Sequence, residues 1–77
     1  MKTAVVVNLS KEEAISCAGE ISLLMLRNNA QVYMLKECMP MFKGYQISFV
    51  ETIEQLFDCC DIAVTVGGDG TIIHAAK

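Results

Sequence analysis

Val64-Thr65-Val66-Gly67-Gly68-Asp69-Gly70-Thr71 is the stretch on which the reading of this chain turns. The residues before it, 62–66, form an apolar run rich in β-branched side chains, which predicts a buried strand. The run stops abruptly at glycine. Three glycines within four residues then predict a tight turn, and a helix is expected to begin near Thr71. Strand, glycine-rich turn and helix start together aim backbone N–H groups at one point, where an anion can be held. Glycines allow a ligand to come closer than a Cβ would permit. Asp69 is the one charged side chain inside the turn. This combination predicts a nucleotide-phosphate site with its own carboxylate, against the plainer alternative of a turn in which Asp69 only caps a helix.

Working outward, a second apolar run at 4–7 predicts a strand buried on both faces. Ser10 stands three residues before Glu13, the spacing of a capping box, so a helix is expected over 11–27. Its inward stripe is read as Ala14, Cys17, Ala18, Ile21, Leu24 and Met25. Asn28 and Asn29 tolerate the left-handed conformation that ends helices. Residues 31–35 (Gln-Val-Tyr-Met-Leu) predict the next strand, completing a βαβ unit, which is right-handed in nearly all folds. Residues 36–46 show no period and read as a loop, with Met39, Met41 and Phe42 apolar enough to need covering. Ser48 and Glu51 repeat the capping-box spacing. A short second helix is therefore expected, with Phe49, Ile53, Leu56 and Phe57 on one stripe.

The order of elements predicts an α/β fold: a three-layer α/β/α Rossmann-like parallel sheet whose three strands run 2-1-3. Ligands in such sheets bind at the carboxyl ends of strands, beside the point where strand order reverses. Asn8 and Gly67 both fall at such ends and are expected to be neighbours.

Composition narrows the function. The chain has 77 residues, a formal net charge of −3 and 53% hydrophobic residues. Its pI near 4.9 gives no basic footprint for nucleic acid. No apolar run reaches the length of a membrane span, and the start of the chain lacks a secretory leader, so a cytoplasmic protein is expected. Four cysteines, Cys17, Cys38, Cys59 and Cys60, lack paired metal-ligand spacing and read as reduced thiols used as small hydrophobes. No metal-ligating residue is assigned. A mean hydropathy of +0.42 in so short a chain predicts apolar surface meant for more protein. The expectation is an incomplete domain, 1–77, that self-associates through its uncovered sheet.

Gly67-Gly68-Asp69-Gly70-Thr71 resembles the signature of NAD kinases and of the related diacylglycerol- and sphingosine-type lipid kinases. The lead-in from Asp61, the Ile72-Ile73-His74-Ala75-Ala76 continuation, and Asn8 followed by Lys11 look most like a bacterial NAD kinase. The resemblance implies phosphoryl transfer from ATP or polyphosphate to the 2′-hydroxyl of the adenosine ribose of NAD. It implies Asp69 as general base, with Gly67, Gly68, Gly70, Thr71, Asn8 and His74 around the nucleotides. It also implies Mg²⁺ or another divalent cation, and a second, β-rich domain outside these residues. The alternatives are a lipid kinase of related fold and a non-catalytic flavodoxin- or receiver-like binding module.

Overall fold

The computed structural model describes residues 1–67 and 70–75, with side chains through Ile73. One sheet carries the chain, in the order β3-β2-β1-β4-β5. Its strands are β1 (Lys2–Val7), β2 (Gln31–Leu35), β3 (Ile47–Val50), β4 (Ile62–Gly67) and β5 (Gly70–Ala75). Two α-helices, α1 (Glu12–Arg27) and α2 (Ile53–Cys59), cover opposite faces. This is the α/β architecture that the order of elements predicts. The expected three strands lie in the expected order, since β2 and β4 flank β1 and pair with it in parallel.

β1 is central because it can be buried from both sides. Val5 faces the α1 layer with Val32, Met34, Val64 and Val66, while Ala4 faces the α2 layer with Leu56, Cys60 and Ala63. Alternate side chains of a strand point to opposite faces, so an unbroken apolar run suits a strand with helices above and below. Its start is pinned by a reciprocal clamp. Lys2 N donates to Asp61 Oδ2 at 3.0 Å, and Asp61 N donates to Lys2 O at 2.8 Å.

Three local expectations are corrected. Five of the six residues read as the inward stripe of α1 face the core, Ala14 and Ala18 buried and Cys17, Ile21 and Met25 packed against them, but Leu24 is 60% exposed and Ser22, an i+4 step beyond Ala18, is buried in the inner row instead. Ser10 does not cap α1; its hydroxyl donates to Asn8 Oδ1 at 2.6 Å instead. The second helix starts later than Ser48. Phe49 lies on the short strand β3, where Ile47 and Phe49 face the α1 layer and Val50 the α2 layer. Ser48 and Glu51 thus make no capping box, because a better one lies downstream. Thr52 Oγ1 accepts from Gln55 N at 3.1 Å, and Gln55 Oε1 accepts from Thr52 N at 3.3 Å. Ile53, Leu56 and Phe57 do form the inner face of α2.

The 36–46 segment is only partly a loop. Residues Lys36–Met41 form a 3₁₀ helix, and Phe42 is buried with its ring edge-on to Tyr45 at 5.5 Å. Met39 and Met41 stay about 40% exposed.

The largest correction concerns the end of the chain. A helix is expected from Thr71; instead 70–75 form a strand antiparallel to β4, with Gly67 paired to Gly70 and Ala63 to His74. The sheet is therefore mixed. Thr71, Ile72 and Ile73 are β-branched and favour a pleated surface. The edge of β4 away from β1 offers unpaired backbone groups that an adjacent extended segment satisfies. Ile72 and Ile73 remain 66% and 65% exposed. No described helix is long and apolar enough to cross a membrane.

All four cysteines are free, Cys38 and Cys60 buried, Cys17 and Cys59 half-buried. The Cys59 and Cys60 sulfurs lie 3.6 Å apart, well beyond a bond length. Burial pushes the Cys60 thiol from its ordinary 9.0 up to about 12, with the Cys59 thiol and the Asp61 carboxylate adding to the rise and Lys2 opposing it.

Two outcomes are expected. Thr52→Ala removes a cap and lowers unfolding free energy by about 1 kcal/mol, whereas Ser48→Ala changes it by less than about 0.5 kcal/mol, in urea titrations of both variants. Because the folded Cys60 holds its proton above the unfolded pKa, its contribution is complete below pH 9 and is lost as pH rises to about 12. Urea midpoints should therefore fall across that window more steeply in the parent sequence than in Cys60→Ala.

Candidate functional site

The carboxyl ends of β1 and β4 lie side by side because their register pairs Val7 with Val66. One residue further along each strand come Asn8 and Gly67. The pairing extends past the strand: Asn8 N donates to Val66 O at 3.0 Å. A cleft of about 570 Å³ opens here, lined by Asn8, Lys11, Thr65, Gly67, Gly70, Thr71 and Ile72. Its volume lies within the range of small-molecule sites. The register thus makes Asn8 and Gly67 neighbours, as expected.

Asn8 does structural work in this position. Its Oδ1 accepts from Ser10 N at 3.1 Å and from Ser10 Oγ at 2.6 Å, and its carbonyl accepts from Lys11 N at 3.1 Å. An Asx-type turn of this kind sets the path from β1 into α1. It also diverts the hydroxyl that the capping-box spacing assigns to α1, leaving the helix without a side-chain cap. Glu12 and Glu13 stand in that first turn, where carboxylates complement the helix dipole.

Gly67, Gly70 and Thr71 form the opposite wall. A Cβ on Gly67 would meet only Gly70 O at 3.8 Å, an ordinary contact. Gly70 has open space around it but a φ of +153°, which L side chains rarely adopt. Thr71 Oγ1 lies 3.8 Å from Cys17 Sγ, tying the rim of the cleft to α1. Lys11 is the one charged side chain lining the cleft among the described residues.

Gly68 and Asp69, central to the expected chemistry, lie outside the described residues. His74 is not on a helix three residues beyond Thr71; its backbone pairs with Ala63. At roughly 3.4 Å per residue, that is about 14 Å along β5 from Gly70. Thr65 and Ile72 line the cleft without having been singled out in the sequence. They face each other across β4 and β5, so only the antiparallel pairing reveals their place. Among the described residues, no group of three or more His, Cys, Asp or Glu side chains could hold a metal ion.

A three-layer α/β unit with a cleft at the carboxyl ends of its central parallel strands has the layout in which such sheets bind ligands. Comparison with known proteins is more specific. The NAD kinase of Prosthecochloris aestuarii (strain DSM 271 / SK 413) is 33% identical over 76 residues. Those of Chlorobium phaeobacteroides strains DSM 266 / SMG 266 / 2430 and BS1 are 34% and 29% identical over the same length. Each alignment takes in 99% of this chain, and the chain spans 26% of the length of each of these relatives. The resemblance to NAD kinases thus extends over nearly the whole chain and beyond the glycine turn. No family model matches the chain, and no solved structure does.

The two described glycines separate by experiment. Gly67→Ala should leave the amide-exchange protection of Ile72 and Ile73 unchanged. Gly70→Ala should reduce it at least about fivefold, because the strained φ costs about 1–3 kcal/mol.

Proposed function

We propose that this chain is the N-terminal α/β part of an NAD kinase, which transfers a phosphoryl group from ATP or polyphosphate to the 2′-hydroxyl of the adenosine ribose of NAD. The observation that carries this reading is the alignment of 99% of the chain with three NAD kinases. The cleft supports it, since Asn8, Gly67, Gly70 and Thr71 line one space.

In this reading Asp69 accepts the ribose hydroxyl proton as the bond to phosphorus forms. Gly67, Gly68, Gly70 and Thr71 receive phosphate through backbone N–H groups and the Thr71 hydroxyl, and Asn8 holds the facing wall. Positioning and charge neutralisation carry most of such a transfer, and the base adds about 10²–10⁴-fold. His74 is proposed as a nucleotide-side residue without a chemical step. The described residues offer no cage for a divalent cation, so Mg²⁺ is proposed to arrive with the nucleotide phosphates, as it commonly does. A second, β-rich domain is proposed to complete the site, which leaves these 77 residues inactive alone. A cytoplasmic location and self-association belong to the same proposal.

The test uses the full-length protein containing this segment. With ATP and Mg²⁺, NAD should be phosphorylated and diacylglycerol should not. Asp69→Asn should lower kcat by about 10²–10⁴-fold with the fold intact by circular dichroism. Phosphorylation of the lipid alone would replace the proposed substrate, and undiminished activity of the variant would remove Asp69 as base.

A further inference from the structure

A second cavity lies at the other end of the molecule. It has a volume of about 500 Å³ and opens between the last turns of α1 and the 43–46 segment. Leu23 and Leu26 give it an apolar wall, and Arg27 and Lys43 bring two cations from separate elements. Tyr45 and Gln46 also line it, and no carboxylate does among the described residues. In a chain with six Lys and Arg against nine Asp and Glu, two cations at one cavity concentrate positive charge against the overall balance.

Arg27 is not required to cap the end of its own helix. A basic residue in the last turn of a helix ordinarily answers the unpaired carbonyls there. In α1 those carbonyls already have partners: Asn28 Nδ2 donates to Leu24 O at 2.7 Å, Ala30 N to Met25 O at 3.0 Å, and Asn29 N to Leu26 O at 3.1 Å. Among the described residues Arg27 and Lys43 have no ion-pair partner. Leu23 is 43% exposed, an apolar surface that the core does not use.

Two partnerless cations over an apolar wall are complementary to a molecule with an apolar body and one anionic end. We propose that this cavity binds a small amphipathic anion, a medium-chain carboxylate or its phosphate equivalent. The alkyl body lies along Leu23 and Leu26, and the charged end lies between Arg27 and Lys43. The site is separate from the glycine-turn cleft, with which it shares no lining residue.

Octanoate is the probe, titrated into the ¹⁵N-labelled full-length protein that contains this segment, with octanol as its uncharged counterpart. Saturable shifts confined to the amides of 23–27 and 43–46 are expected. Octanol should bind at least fivefold more weakly. Exposed ion pairs are individually weak, so Arg27→Gln with Lys43→Gln should weaken octanoate by about fivefold and leave octanol unchanged. Raising salt should weaken octanoate alone. Equal binding of octanoate and octanol would reduce the cavity to an apolar patch and overturn the proposal. Shifts scattered over the surface or centred on Gly67 and Gly70 would also overturn it. The octanol comparison decides the matter without any variant, so a poorly folded double variant leaves the test intact.

Discussion

The parallel pairing of β1 with β4 is the constraint on which the rest depends. Five residue pairs, from Thr3 with Ile62 to Val7 with Val66, fix where each strand ends. A slip of one residue would reverse which side chains face each helix, moving Val64 and Val66 out of the α1 layer and Ala63 into it. The same register sets Asn8 beside Gly67. Core packing and site geometry are thus decided by one ladder, pinned at its start by the exchange between Lys2 and Asp61.

Much of this was legible in the sequence because burial on both faces leaves a plain mark. The apolar runs at 4–7 and 62–66 read as inner strands, and the 2-1-3 order expected of such a fold puts the first at the centre. The meeting of Asn8 with Gly67 followed from that order alone. The departures have equally physical causes. Ser10 and Ser48 both showed capping-box spacing, yet spacing does not say which acceptor a hydroxyl meets first. Asn8 took one, and strand pairing took the other into β3. In α1, helical spacing reads Leu24 inward with the rest of its stripe, yet Leu24 alone of that stripe stays exposed while Ser22 takes a buried place in the inner row.

The end of the chain was harder to read. Thr71-Ile72-Ile73 suits a strand by its branching, whereas the glycine turn before it suits a helix start equally well. The open edge of β4 decided for the strand, and an edge is a property of the assembled sheet that no local window contains. Thr65 and Ile72 came to the cleft by the same route. Similarity to NAD kinases over nearly the whole chain gives the cleft its chemical interest, since cleft shape alone would suit many anionic ligands.

The strands that line that cleft are unequally held, in a way that matters for any occupant. Asn8, Thr65 and Gly67 belong to or adjoin inner strands held by neighbours on both sides, whereas Gly70, Thr71 and Ile72 belong to a border strand with one described neighbour. The opening therefore resembles a vice with one fixed jaw and one yielding jaw. A guest spanning both would lend the yielding jaw a second anchorage, so its arrival would be felt most along the sheet margin and least at the central ladder.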